Sequence, residues 1–383
     1  KQSQIKKSDR SRYAENGSNL MRVRPTLAIY ISRQFLIWWF GFFVVLVALI
    51  GLFDTIEIMR RTSRFNNVTV ADIISLVLFK LPHLAQKAIP FTVLFGGMMA
   101  FWRLNRHHEL VVARASGVSA WGFLSPVLVV AALIGIIQIT VYSPFASAMM
   151  FRYEQLEAKT FKNRSLASIS GKGFWLRQPI TGGDYILHAS HIKPPAMYLR
   201  NITIFKFRGG ENFISRIDAE KAKLGIQQWH LENVRINAPE KPLQTLKKLK
   251  IPTNLTQENI QDSFGKPETI SFWALPGFIQ VLEQAGFSGL RHRLYWHSQL
   301  ADPALLCAMI LLAAAFTLRP TRRGGATLTV VTGVAAGVLI YFLTDIAHAL
   351  GLSSRLPVFL AAWSPATVGI LLGTGLLFHL EDG

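Results

Sequence analysis

"NRHHELVVARASGVSAWG", residues 105–122, decides how this chain is read. It sets Arg106, His107, His108, Glu109 and Arg114 around Leu110, Val111 and Val112, and it closes on Ser116-Gly117-Val118-Ser119. A long apolar run stops just before it and another starts just after it. The pattern predicts a short charged helix over 104–117, with Gly117 at its C-cap and Ser119 starting the next helix. Arg106 and Glu109 are i,i+3 neighbours on such a helix, a spacing at which opposite charges attract. Two readings are open: a solvated loop that happens to be helical, or a coupling helix that docks into a separate motor subunit.

The flanks show why the stretch matters. A bilayer core about 30 Å thick needs about 20 apolar residues of helix. Six stretches qualify, at about 35–53, 70–102, 120–142, 300–318, 327–350 and 358–380. The second holds Lys80, Pro82, Lys87 and Pro90, which predicts a kink and one polar flank. Pro144 bounds the third, and Asp302-Pro303 opens the fourth with Asp302 as its cap. The composition agrees: 50% hydrophobic residues and 16% charged residues exclude an ordinary soluble protein. The formal charge is +19. Arg22, Arg24 and Arg33, then Arg103, Arg106 and Arg114, then Arg319, Arg322 and Arg323 fall on one side of six spans, which places both termini in the cytoplasm. Arg60, Arg61 and Arg64 follow the first span on the opposite side, against that rule. Residues 1–24 read as a basic disordered tail with no cleavable signal. Cys307 stands alone, so the chain forms no internal disulfide.

Residues 145–271 change character. "GFWLRQ", "DYILHAS", "NITIFKF" and "QQWHLENVRIN" alternate with period two, separated by turn signals such as "TGGD" and "RGGEN". They predict an all-β domain inserted between the third and fourth spans. Phe174, Ile186, Ile204 and Phe213 are candidates for its inner face. From Phe272 to about Gly289 the sequence reads as a helix returning to the membrane, so 272–383 holds a connecting helix and the last three spans. Residues 25–144 hold the first three.

Enzyme signatures are scarce. "GKG" at 171–173 lacks the upstream glycine of a P-loop, so the chain should not bind ATP that way. No G-x-S-x-G, H-E-x-x-H or cysteine cluster occurs. His107, His108 and Glu109 point to different sides of a helix and do not share one metal. Asp302, Asp345 and His348, in or near the membrane, would suit a proton relay or simply helix ends. Arg60, Arg61 and Arg64, with Lys80 and Lys87, read either as a solvated basic loop or as a basic rim for an anionic amphiphile.

The stretch 81–119, "LPHLAQKAIPFTVLFGGMMAFWRLNRHHELVVARASGVS", resembles the LptF/LptG family of lipopolysaccharide-export permeases. The likeness rests on Leu81-Pro82, Pro90-Phe91, Gly96-Gly97, Leu104, Glu109-Leu110 and Ala115–Ser119, with "IYISRQFL", "LFDTIEIMRR" and "RPTRRGG" elsewhere. "DTIEIMRR" leans toward the LptG branch. The resemblance implies a bundle of six transmembrane helices in the bacterial inner membrane, with a periplasmic β-jellyroll. It implies an LptF-type permease as partner, an LptB-type ATPase dimer that binds the ATP, and LptC-type and LptA-type jellyroll proteins. It implies no cofactor and no nucleic-acid partner for this chain. The family's coupling acid falls on Glu109, among Arg106, Leu110, Arg114 and Gly117. Its phosphate-contacting basic residues fall on Arg60 and Arg61, with Arg64 beside them, and Phe42, Phe43, Leu46 and Phe53 are candidates for the greasy cavity wall. Some members carry a lysine a turn or more before the basic residues, where this chain has Asp54.

Overall fold

The computed structural model describes residues 25–63, 69–109, 112, 115, 119–161, 166–170, 173–180, 183–193, 198–208, 212–225, 228–239, 242–253, 266–284, 287–318 and 326–381. The tail over 1–24 lies outside the described residues. Among the described residues six helices are long and apolar enough to cross a membrane. Contacts divide the chain into two units, one of 1–57, 84–142 and 297–383 and one of 58–83 and 143–296.

The first unit is a helical bundle. Helix α1, Pro25–Thr62, belongs to it up to residue 57, and α2, Val70–Arg106, from residue 84 on. Thr69 and Asp72 cap α2 reciprocally, the Thr69 N–H donating to Asp72 Oδ2 at 3.0 Å and the Asp72 N–H to Thr69 Oγ1 at 3.3 Å. The helix runs on through Pro82 and Pro90. The unit division falls beside Pro82, at His83, where a missing proline N–H leaves a gap in the intrahelical ladder.

Helix α3, Ala120–Ile137, begins as its sequence predicts: Ser119 Oγ accepts from the Gly122 N–H at 3.2 Å. Its far end corrects the expectation that Pro144 stops it. A π-helical turn over Gln138–Tyr142 leads straight into α4, Ser143–Phe161, and the span continues through the proline. Widening the turn lets a helix absorb a residue that lacks its N–H and crowds the carbonyl four residues back.

The remaining spans of the first unit include α6, Leu290–Thr317, α7, Ala326–Leu352, and α8, Val358–Glu381 (α5 belongs to the second unit). The fourth span therefore starts ten residues before the expected 300, and Asp302 is not its cap but an interior residue. The cause is local: a proline three residues into an apolar run mimics a helix start, while the polar turns before it are helix as well. Helix α6 forms the bundle's heart, with Leu306 and the run Ala308–Ala315 buried. Small residues let its neighbours approach closely. A Cβ on Gly135 would stand 2.6 Å from the Pro303 backbone, and one on Gly96 would stand 2.7 Å from the Trp39 backbone. Gly135→Val is expected to lower the stability of the purified chain by about 1–3 kcal/mol, read as a lower melting temperature in detergent, because the colliding atom is backbone and has no rotamer to escape into. Large apolar side chains such as Ile37, Phe40, Val44 and Leu49 of α1 and Leu339 and Phe342 of α7 point outward. That inversion of the soluble pattern suits a lipid surround.

The second unit holds the sheet: β1 Leu166–Ser170, β2 Gly173–Ile180, β3 Gly183–Lys193, β4 Tyr198–Arg208, β5 Asn212–Gly225, β6 Gln228–Asn237 and β7 Gln244–Pro252. Its seven strands pair antiparallel in sequence order, a meander. The β region thus begins at Leu166, and the first part of the interval expected as β from 145 is the helix α4. Polar residues on α4 had suggested a change of fold, but they mark only the exit from the apolar run. Helix α5, Leu275–Gln284, returns the chain toward α6, and its Leu282 joins the sheet's core of Leu187, Leu199, Ile202, Ile217, Trp229 and Val234.

Strand facing departs from simple alternation. On β4, β5 and β6 two consecutive residues point outward between buried ones, at Arg200-Asn201, Glu220-Lys221 and Glu232-Asn233. Asn201 and Asn233 adopt left-handed φ of 51° and 54°. Asparagine tolerates that region better than most residues. The slips align across the sheet, so the core keeps one face throughout. Of the four expected inward residues Ile204 is buried, whereas Ile186 sits out of phase with buried Leu187 and Phe213 is exposed. The Phe174 side chain lies outside the described residues.

Candidate functional site

Three places collect the residues singled out by sequence. The first is the end of the bundle that the charge pattern assigns to the inner side. Helix α2 stops at Arg106, and His108 takes a left-handed φ of 57°, so 104–106 belong to the span and not to a separate short helix. The expected Arg106–Glu109 pair does not form. The Arg106 guanidinium lies 5.0 Å over the Trp102 ring, a cation–π contact one turn back. The Tyr30 hydroxyl donates to Glu109 Oε1 at 3.2 Å, tying the acid to the start of α1. The left-handed residue between Arg106 and Glu109 removes the helical phase that an i,i+3 pair requires. Leu110, Arg114 and Gly117 lie outside the described residues.

This inner corner is anchored from three sides. Asn105 Nδ2 donates to the Thr317 carbonyl at the end of α6 at 3.3 Å. Buried Gln34 of α1, with its amide oxygen turned toward its two donors, accepts from Arg103 at 2.6 Å and from Trp38 Nε1 at 2.8 Å. Glu109 thus follows a junction whose side chains bond α1, α2 and α6. Sequence spacing missed Tyr30, Gln34 and Asn105, since each acts on a residue far along the chain.

The second place is the C-terminal end of α1, assigned to the outer side by the six-span count. Arg60 and Arg61 are exposed in the last turn. Arg61 Nη1 lies 3.7 Å from Glu157 Oε1, which accepts from the Tyr153 hydroxyl at 3.1 Å. Lys80 Nζ stands 5.7 Å over the Tyr153 ring. Ile58, Leu76, Met150 and Tyr153 form a small core beneath them. Lys80 thus meets Tyr153 directly, and Arg61 reaches it through Glu157. Arg64 lies outside the described residues. On the same helix, in the first unit, Phe42 packs on Phe95 with ring centroids 5.9 Å apart. Leu46 is half-buried and Phe53 is exposed, while Phe43 stacks on Trp39 and packs against the core.

The third place is the polar interior of the bundle. Gln138, on the π-helical turn, donates from Nε2 to Asp302 Oδ2 at 3.1 Å, and its own Oε1 is buried without a partner. Ser298 Oγ and His348 Nε2 lie 2.7 Å apart. Asp345 is exposed. Asp302 and His348 thus hold different partners, and Asp345, one turn before His348 on α7, is close enough for the two charges to interact. Among the described residues no group of three His, Cys, Asp or Glu side chains is placed to hold a metal. Gln138→Leu is expected to cost about 1–3 kcal/mol, the penalty of leaving a buried acceptor without its donor, and Gln138→Asn less. Thermal melting in detergent checks both.

Comparison with known proteins places these features. A family model described as lipopolysaccharide export system permease LptF/LptG matches residues 29–379. The lipopolysaccharide export system permease protein LptG of Escherichia coli strain K12 is 24% identical over 311 residues, covering 79% of this chain and 84% of that protein. The protein of the same name from Haemophilus influenzae is 24% identical over 372 residues, covering 93% of this chain and 99% of its own length. Since the family match takes in all six spans, the sheet, Glu109 and the Arg60–Arg61 rim, the chain belongs to the LptF/LptG family of lipopolysaccharide export permeases.

Proposed function

We propose that this chain is the LptG-type permease subunit of an ATP-driven lipopolysaccharide exporter in a bacterial inner membrane. It extracts the lipid and passes it to a periplasmic jellyroll bridge. The LptG assignment, over the sister LptF type, rests on the names of its relatives and on "DTIEIMRR". An LptB-type ATPase dimer supplies nucleotide binding, an LptF-type permease completes the cavity, and LptC-type and LptA-type proteins receive the lipid. The meander contributes the periplasmic jellyroll of this subunit.

The observation that carries the reading is the rooted acid at the inner corner. Glu109 projects from a junction tied to α1, α2 and α6, which suits a lever moved by a separate motor. Arg60 and Arg61 hold the lipid's phosphates, and apolar side chains such as Phe42, Leu46 and Phe53 receive its acyl chains. An acyl chain that reaches water costs about 0.8 kcal/mol per methylene, so the path must stay apolar until the next trough takes over. ATP closes the motor, and the cavity's different affinity for the lipid in its two states does the work.

Gentle purification from its native membrane, followed by mass spectrometry of the co-purifying chains, tests this. A second permease of similar size and a soluble ATPase are expected. Transport of lipopolysaccharide by the chain alone, without an ATPase, would overturn the proposal.

A further inference from the structure

The outward face of the sheet carries a row that neither the transport path nor the membrane uses. Register sets Trp175 opposite His188, His188 opposite Thr203, Thr203 opposite Asp218, Asp218 opposite Arg235, and Arg235 opposite Thr245. Six strands at about 4.8 Å spacing make this row about 24 Å long. The exposed Trp175 ring lies against His188, with centroids 4.3 Å apart.

The polar groups are held in place. Asp218 Oδ1 accepts from Thr203 Oγ1 at 2.8 Å and from Arg216 Nε at 3.0 Å. Beside this row runs the line of slips, where Asn233 Nδ2 donates to Glu220 Oε2 at 2.7 Å. The slips turn extra polar side chains outward, and the face encloses an open hollow of about 880 Å³. Asn201, Asn233 and Lys247 line it together with the row from His188 to Thr245.

A solvated sheet face needs no hollow and no aromatic platform at its end. The chemistry of the lining chooses among ligands. Asp218 and Glu220 oppose a bare anion, and Arg235 and Lys247 oppose a bare cation. The lining offers too little apolar surface for an acyl chain. What fits is a ligand that donates and accepts at closely spaced hydroxyls and presents C–H faces to an aromatic ring. Asp218 Oδ1 is filled by its two donors, but Asp218 Oδ2, 2.9 Å from Arg216 Nε, and Glu220 Oε2 each keep a second lone pair for such a hydroxyl.

We propose that this face binds the sugar rings of the transported lipid's headgroup, with Trp175 as the stacking platform and Asp218 and Arg235 as the central hydrogen-bonding pair. The proposal rests on the lipopolysaccharide reading above. It assigns the saccharide part to the outer face of the sheet and leaves the acyl chains to the apolar path.

The test is calorimetric titration of the full chain in detergent with the deacylated oligosaccharide prepared from lipopolysaccharide. Saturable binding is expected. Trp175→Ala and Asp218→Ala should each weaken it by about tenfold, the effect of one lost contact of ordinary strength. Trp175→Phe should keep most of the affinity, and Lys248→Ala, which lies outside the hollow, should keep all of it. If the alanine variants melt early, Trp175→Leu and Asp218→Asn replace them and must show the same weakening. No binding of the oligosaccharide, or unchanged affinity in these variants, overturns the proposal. Lipid crosslinking at Arg60 and Arg61 reports the transport reading separately: if it persists while the oligosaccharide fails to bind, only the saccharide site falls.

Discussion

Glu109→Lys is expected to detach the motor from the permease. Reversing one charge of a desolvated interfacial pair costs about 2–5 kcal/mol, or roughly 30-fold or more in affinity. The ATPase recovered with the complex should fall accordingly, and whatever remains bound should hydrolyse ATP without exporting lipid. The Tyr30 contact supplies the control. Glu109→Gln keeps an oxygen to accept from the Tyr30 hydroxyl and loses only the charge, so its defect measures the electrostatic part. Tyr30→Phe keeps the charge and frees the side chain, so it should retain ATPase binding and lose part of the coupling. Full export by Glu109→Lys would mean that the inner corner is merely a solvated loop.

Much of this architecture was legible because the bilayer imposes a length and an apolarity that single stretches of sequence display. All six spans could be found that way, and Ser119 marked the start of α3 through its hydroxyl. What failed was punctuation by proline. Pro144 and Pro303 both read as helix boundaries, and both sit inside continuous spans, the first just after a π-helical turn and the second against Gly135. Neighbouring helices decide whether a proline breaks a span, and one sequence does not display its neighbours.

The β region failed differently. Period-two alternation found the strands but not their facing, because three aligned slips invert the phase partway along β4, β5 and β6. In "HLENVRIN" the slip is visible afterwards as two polar residues, Glu232 and Asn233, between Leu231 and Val234. At the site, Glu109, Arg60 and Arg61 were found from their place relative to the spans. Tyr30, Gln34 and Glu157, which hold them, were not, since a contact across 79 residues leaves no local pattern.

Replacing Arg60 and Arg61 together by Glu should remove most crosslinking of lipopolysaccharide to the outer end of α1. Two guanidiniums that pair with phosphate become two carboxylates that repel it, and charge-assisted hydrogen bonds of this kind are about twice as strong as neutral ones. The two positions should not contribute alike. Arg61 is already offered the Glu157 carboxylate at 3.7 Å, and Glu157 is in turn held by Tyr153. A phosphate arriving at Arg61 competes with that carboxylate, so Arg61→Ala alone should lower crosslinking less than the double change. Glu157→Gln removes the competitor while keeping an acceptor for the Tyr153 hydroxyl, and it should raise crosslinking at Arg61 above the wild-type level. A solvated basic loop predicts none of this ordering: there the double reversal changes crosslinking little and Glu157→Gln changes nothing. The sign of the Glu157→Gln effect therefore separates a lipid-binding rim from a solvated basic loop, because removing a distant carboxylate alters lipid capture only where lipid and carboxylate seek the same guanidinium.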